Sequence, residues 1–218
     1  FMNQAIDLFP SDYWRWWLLS NAPETSDADF TWKSFQSCIN KDLADVLGNF
    51  VSRLTKFTLS NFGKTIPGGM QYSNEEYNTI SEIEKIFKKY DDAMTRIEIR
   101  KAASNLRKIW SIGNEYLQRS QPWMMIKTDE AEAAKVIRFG FNLMFFFSEI
   151  SEPFIPETSI KVKNCLGKLN NKLQWPSFKK DFKSIFERVE TGEEFKPIEN
   201  LFKKIDDSQA LDLEKRFE

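Results

Sequence analysis

Asn49 and Arg53 stand four residues apart in a periodic apolar stretch, a spacing that sets both side chains one turn apart on one helix face. An amide and a guanidinium so placed offer two bidentate hydrogen-bonding groups to one ligand. The same pair suits a capping or salt-bridge role, and the residues alone leave both readings open. Pro122-Trp123, in the context Ser-Gln-Pro-Trp, breaks a helical pattern and puts an indole on the turn that follows. An indole held on a rigid turn is a stacking platform for an unpaired base, and an indole packed into a core is the competing reading.

Other chemistry is excluded. The chain contains no histidine, so a His-dependent triad or an imidazole zinc site cannot form within it. The neighbouring carboxylates Glu75/Glu76, Asp91/Asp92 and Asp206/Asp207 point in different directions from a helix and do not converge on a substrate. No Gly-rich phosphate loop is present, and the pair Gly68-Gly69 reads as a turn. The expectation is a chain with no catalytic, cofactor-binding or metal-ligating set. Lys and Arg total 31 against 32 Asp and Glu, so no global basic field draws a polyanion. The basic region is Lys161, Lys163, Lys168, Lys172, Lys179, Lys180 and Lys183, with Asp181 the single acid between them. It fits phosphate contact or a solvated helix face. Cys38 and Cys165 lie in apolar helical segments and read as reduced core thiols of a cytoplasmic protein.

These residues must be positioned by helices. The 218 residues are 41% hydrophobic and 29% charged with few Gly and Pro, a composition that folds. Ser11-Asp12 reads as the cap of a short aromatic helix ending before Pro23. Phe35, Ile39, Leu43, Leu47, Phe50, Leu54 and Phe57 mark a long helix, and Tyr77 to Met94 and Ile99 to Leu117 two more, the first capped at Ser73. Asp129 caps a helix whose segment FGFNLMFFF is apolar all round, the pattern of a central helix. Two later helices are expected in ETSIKVKNCLGKL and PSFKKDFKSIFERV, and the tail from Gly192 reads as an extended strap. No period-2 segment appears, so the predicted class is all-α, an antiparallel helix bundle with short connections. The predicted organisation is a connector helix in 1–29, the bundle in 30–174, and a C-terminal helix and strap in 175–218. The uncharged run Phe139 to Ser148 falls short of the ~20 residues of a membrane span. An opening on Phe1 without a cap reads as the cut end of a longer chain.

Together the motifs resemble a family. DYWRWWLLSNAPETSDADFTWKSFQSCINKDLADVLGNFVSR is similar to the segment after the signature loop of bacterial-type methionyl-tRNA synthetases. NEYLQRSQPWMMIKTD resembles their anticodon-reading turn, FIPETSIKVKNCLG their next helix, and GEEFKPIENLFKKID their C-terminal strap. The resemblance implies a class I synthetase anticodon-binding domain recognising the CAU anticodon of tRNA(Met). It implies that Asn49 and Arg53 hydrogen-bond anticodon bases and that Trp123, beside Pro122, stacks on the first of them. It further implies ATP-dependent attachment of methionine to tRNA by a parent enzyme, with ATP and magnesium held on a catalytic domain this chain lacks. The expected partners are tRNA(Met) and that catalytic domain, with no membrane. Two alternatives stand beside it: the anticodon domain of another class I synthetase, and a helical protein-interaction module with no RNA role.

Overall fold

The computed structural model describes residues 2–24, 27–168 and 181–217. Among them the architecture is all-α with no strand. Short helices α1 (Met2–Leu8) and α2 (Ser11–Ser20) open the chain, so the stretch expected to hold one connector helix holds two. Tyr13, Trp14, Trp16 and Trp17 of α2 are buried in the common core. Ser11 and Asp12 do not cap α2, because Pro10 takes the N-cap position and no side chain caps it. Asp12 is instead buried and accepts from the Thr158 and Glu157 amides, 2.6 and 3.4 Å away. It thereby caps the first turn of a distant helix, α9 (Pro156–Cys165), where free amides and the helix dipole favour a carboxylate.

The long stripe beginning at Phe35 folds as one continuous rod with three textures. A Thr31–Ser34 capping box starts α3 (Trp32–Cys38), a wide π-helical segment spans Ile39–Gly48, and α4 (Asn49–Asn61) follows. The spacing explains the middle section. Steps of four drift by about 40° each on a helix of 3.6 residues per turn, so Phe35, Ile39, Leu43 and Leu47 would wind off one face. Wider turns keep all four in the core, where each is buried.

Helices α5 (Asn74–Thr95) and α6 (Ile99–Ser120) form an antiparallel hairpin, and α5 starts from a Ser73–Glu76 capping box. α6 is followed by the single turn α7 (Pro122–Met125) and then by α8 (Glu130–Ser151), which Asp129 caps through the Glu132 amide. α8 is buried on all sides from Phe139 to Ser151, as its all-round apolar pattern requires. Gly113 permits the close approach of α6: a Cβ there would meet the Phe147 ring at 2.9 Å and the Phe50 ring at 3.0 Å.

Two expectations for the C-terminal part are corrected. The helix expected in PSFKKDFKSIFERV lies partly outside the described residues, and its described part forms only a 3-10 turn, Lys183–Glu187. Local bonds explain the tight turn, since Asp181 accepts from the Lys183 amide and Ser184 donates back to the Asp181 carbonyl. The tail from Gly192 does run extended and bridges Thr65 through Glu194, but it ends in a helix, α10 (Asp207–Phe217). Asp206 accepts from the Gln209 amide and starts it. No described helix is long and apolar enough to cross a membrane.

Candidate nucleic-acid interface

α6 ends where Gln121 enters the left-handed region, at φ 44° and ψ 56°. Pro122 disfavours the helical conformation for the residue before it, and the left-handed turn lets α7 begin at once with proline in its first position. Pro122 is buried and Trp123 is half-buried. The end of α6 is fixed just before this corner, because Arg119 reaches Glu75 at 2.9 Å and Thr79 at 3.3 Å on α5.

Arg53 meets Trp123 across the corner. Its guanidinium carbon lies 4.7 Å from the indole centroid, a cation–π contact. Its other partner is the Gln118 side-chain oxygen, 3.4 Å away, and among the described residues it pairs with no carboxylate. Asn49, exposed one turn earlier on α4, donates to the Asn114 side-chain oxygen at 3.1 Å. The sequence-derived residues therefore converge on one surface. The salt-bridge reading of Arg53 and the core reading of Trp123 are both replaced by an open contact between the two.

Asn114 and Gln118 were missed as site residues. They too are four apart, so α6 presents an amide ladder that faces the Asn49–Arg53 ladder of α4 rung for rung. The signal was in the sequence, since Asn114 opens the NEYLQRSQPW block. What the sequence does not show is the register of one helix on the other. Asn114 also fixes the orientation of Asn49. Its amide nitrogen donates to the Val46 carbonyl at 2.9 Å, which turns its oxygen toward the Asn49 nitrogen and leaves the Asn49 oxygen without a hydrogen-bond partner among the described residues.

A buried polar cluster ties the neighbouring helices together. Lys135 is 2% exposed and sits between Glu132 (2.5 Å) and Glu76 (3.4 Å), while the Tyr116 hydroxyl donates to Glu76 at 2.6 Å. Burial pushes the Glu76 carboxyl up, yet Tyr116, Ser73 and Lys135 outweigh it and hold the group below the usual carboxylate range. The cluster joins α5, α6 and α8.

Three lysines of the basic region are engaged within the fold, and Lys161 is exposed. Lys163 is buried and bound to Glu152 at 2.6 Å, Lys168 is bound to Glu193, and Lys183 rests over the Tyr77 ring. Lys172, Lys179 and Lys180 lie outside the described residues. Cys38 and Cys165 are free thiols, pushed up to about 12 and about 11 mainly by burial, so neither is an activated nucleophile.

Residues 66–218 match the family described as the anticodon binding domain of methionyl tRNA ligase. The chain belongs to this family. Residues 1–55 match a second family, class I tRNA synthetases (M). The corner between α4 and α7 thus draws Asn49 and Arg53 from one matched region and Trp123 from the other. The whole chain aligns at 46% identity with the methionine–tRNA ligase of Roseobacter denitrificans and at 48% with that of a Jannaschia species. It spans 37% of the length of each. The fold is shared with the methionyl-tRNA synthetase of Mycobacterium tuberculosis, at a TM-score of 0.81 and 17% identity over 93% of this chain and 40% of that one.

Proposed function

We propose that this member of the methionyl-tRNA ligase anticodon-domain family binds the anticodon loop of tRNA(Met), reading its CAU anticodon. The observation that carries the reading is the contact of Arg53 with Trp123, with Asn49 one turn away. Unpaired bases are recognised by stacking on aromatic faces and by hydrogen bonds to their edges. Trp123 supplies the face. Arg53 supplies donors, and the Asn49 oxygen supplies the acceptor that an exocyclic amino group such as that of cytosine needs. Pro122 and the left-handed Gln121 set the indole at the surface before RNA arrives, so little ordering remains to be done on binding.

In this reading the protein attaches methionine to tRNA using ATP, and these residues contribute recognition while the bond-forming chemistry takes place in another domain of the ligase. Among the described residues no three His, Cys, Asp or Glu side chains gather as a metal site. By the family reading alone, ATP and magnesium belong to that other domain and the protein to the cytoplasm. The test is binding of a methionine anticodon stem-loop RNA, with the first anticodon base cytosine or altered, measured at fixed salt. Preference for the CAU loop supports the reading. Equal binding of all loops, or none, overturns it.

A further inference from the structure

α5 ends in a Schellman turn, in which the Glu98 amide donates to the Ala93 carbonyl at 2.9 Å and the Ile97 amide to the Met94 carbonyl at 3.1 Å. Such a turn needs a left-handed residue at its corner, a place glycine fills without a steric clash. Here the corner residue is Ile97, at φ 60°. A β-branched residue is strained there, because its Cβ crowds the carbonyl oxygen that follows. No burial offsets the strain. Ile97 is 76% exposed, the most exposed large apolar side chain among the described residues.

The tip that carries Ile97 is well tied. Arg96 pairs with Asp92 at 3.0 Å and Lys101 with Glu98 at 2.7 Å. Glu24, just beyond α2, accepts from the Arg100 amide at 3.1 Å. α6 then runs for 22 residues, about 33 Å, from this tip to the corner that carries Trp123. Ile97 therefore stands at the opposite end of the hairpin from the proposed RNA contacts.

We infer that Ile97 is an apolar plug that docks into a socket on the part of the ligase outside this chain. Three features of the tip fit that occupant. The projecting group is a bare hydrocarbon, which gains by entering an apolar protein surface and offers no bond to a phosphate or a base edge. The charges around it nearly cancel, since Glu24, Asp91, Asp92 and Glu98 stand against Arg96, Arg100 and Lys101, so the tip draws no polyanion. The tip is also bonded to Glu24, within the residues 1–55 that match the class I synthetase family, and the chain spans 37% of the length of its relatives. Because the left-handed corner is fixed before docking, little ordering remains to be done when the plug is seated. The inference rests on this chain being part of a longer ligase and is independent of the contacts at Trp123.

The test compares this chain with the full-length ligase, each carrying Ile97→Cys, by the rate of maleimide labelling at residue 97 read by peptide mapping. Labelling at least tenfold slower in the ligase is expected. Equal rates overturn the inference. Protection of the ligase only when tRNA is added, or protection of this chain that grows with its own concentration, overturns it as well, in favour of RNA or of a second copy. The comparison without RNA does not depend on the anticodon site, so its failure leaves the anticodon reading standing, and equal binding of all stem-loops leaves the docking standing. A second variant checks the strain. Asparagine tolerates the left-handed corner, so Ile97→Asn should raise the melting temperature of this chain by about 2–4 °C. An unchanged or lower value would show an unstrained corner and remove the premise.

Discussion

Arg53 rests on the Trp123 ring at 4.7 Å although the two are separated by the whole α5–α6 hairpin. The contact gives the indole a fixed neighbour and gives the guanidinium a partner that does not consume its donors, as a carboxylate would. On the proposed reading this makes the pair a single device, in which the indole face accepts any base and the guanidinium distinguishes among them.

Trp123→Ala should therefore remove a stacking surface worth roughly 1–3 kcal/mol. Affinity for the methionine anticodon loop should fall about ten- to hundredfold, for matched and altered loops alike. Arg53→Ala should cost a similar order and also narrow the gap between the two kinds of loop. Titrations of both variants with both loops separate the effects. Matched and altered loops bound by each variant as tightly as by the parent would remove the assignment.

Asn114 is predicted to act through Asn49. Asn114→Ala leaves the Val46 carbonyl without its side-chain donor and frees the Asn49 amide to turn, so RNA affinity should drop about three- to tenfold with a stability loss of about 1 kcal/mol. A double-mutant cycle checks the route: Asn49→Ala with Asn114→Ala should bind RNA no worse than Asn49→Ala alone. Full additivity of the two losses would mean that Asn114 contacts RNA by itself.

Much of this was legible before any coordinates. The spacing of Asn49 and Arg53, the helix break at Pro122 and the all-round apolar Phe139–Phe147 segment each carry local information, and local information is what periodicity reports. The pairing of Asn114 with Asn49 and of Gln118 with Arg53 was not legible, because the register of packed helices depends on side-chain volumes across the interface, such as the absence of a Cβ at Gly113. The π-helical segment left a trace in three consecutive steps of four. Asp12 was misread for the same reason as the amide ladder: Ser-Asp before an aromatic run is a local cap signal, and the helix it serves begins at Pro156. α10 was overlooked because Pro197 upstream reads as extended, while the start signal at Asp206 lies nine residues beyond it.

The long-range cap predicts a stability effect. Asp12→Ala strips the first turn of α9 of its acceptor in a buried setting, and cap deletions cost about 0.5–2 kcal/mol. Urea denaturation should show a lower midpoint of that order. Asp12→Asn keeps an acceptor oxygen and should recover part of the loss. An unchanged midpoint in Asp12→Ala would show that the α9 amides find another partner.

Ligands of the proposed ligase reaction other than RNA should not bind here. ATP with magnesium, and methionine, should leave the melting temperature of this chain unchanged, since only a ligand that binds the native state stabilises it. A concentration-dependent rise with either would place a small-molecule site within these residues.

Stability should also depend on pH through Glu149, which is 1% exposed near the end of α8. One of its oxygens accepts from Arg188 at 3.2 Å, and the other has no hydrogen-bond partner among the described residues. Burial pushes the carboxyl up from 4.5 to about 7, with Glu152 adding to the rise and Arg188 and Lys163 opposing it. The folded state thus binds a proton more tightly than the unfolded state, so this contribution is fully present below the unfolded value near 4.5 and is lost as pH rises through about 7. A tenfold difference in proton affinity between the two states corresponds to about 1.4 kcal/mol, which puts the loss on the order of 3 kcal/mol. Glu76, held low, works in the opposite sense at more acid pH, where its contribution disappears as it protonates. Between about pH 5 and 8 the Glu149 effect should dominate. Glu149→Gln keeps the shape without the charge, and its unfolding free energy should stay nearly flat across that window while the parent's declines. The variant should be the more stable of the two at pH 8. Parallel profiles for the two proteins would show that Glu149 is ionised in the fold at neutral pH, with Arg188 and Lys163 sufficient to hold its charge.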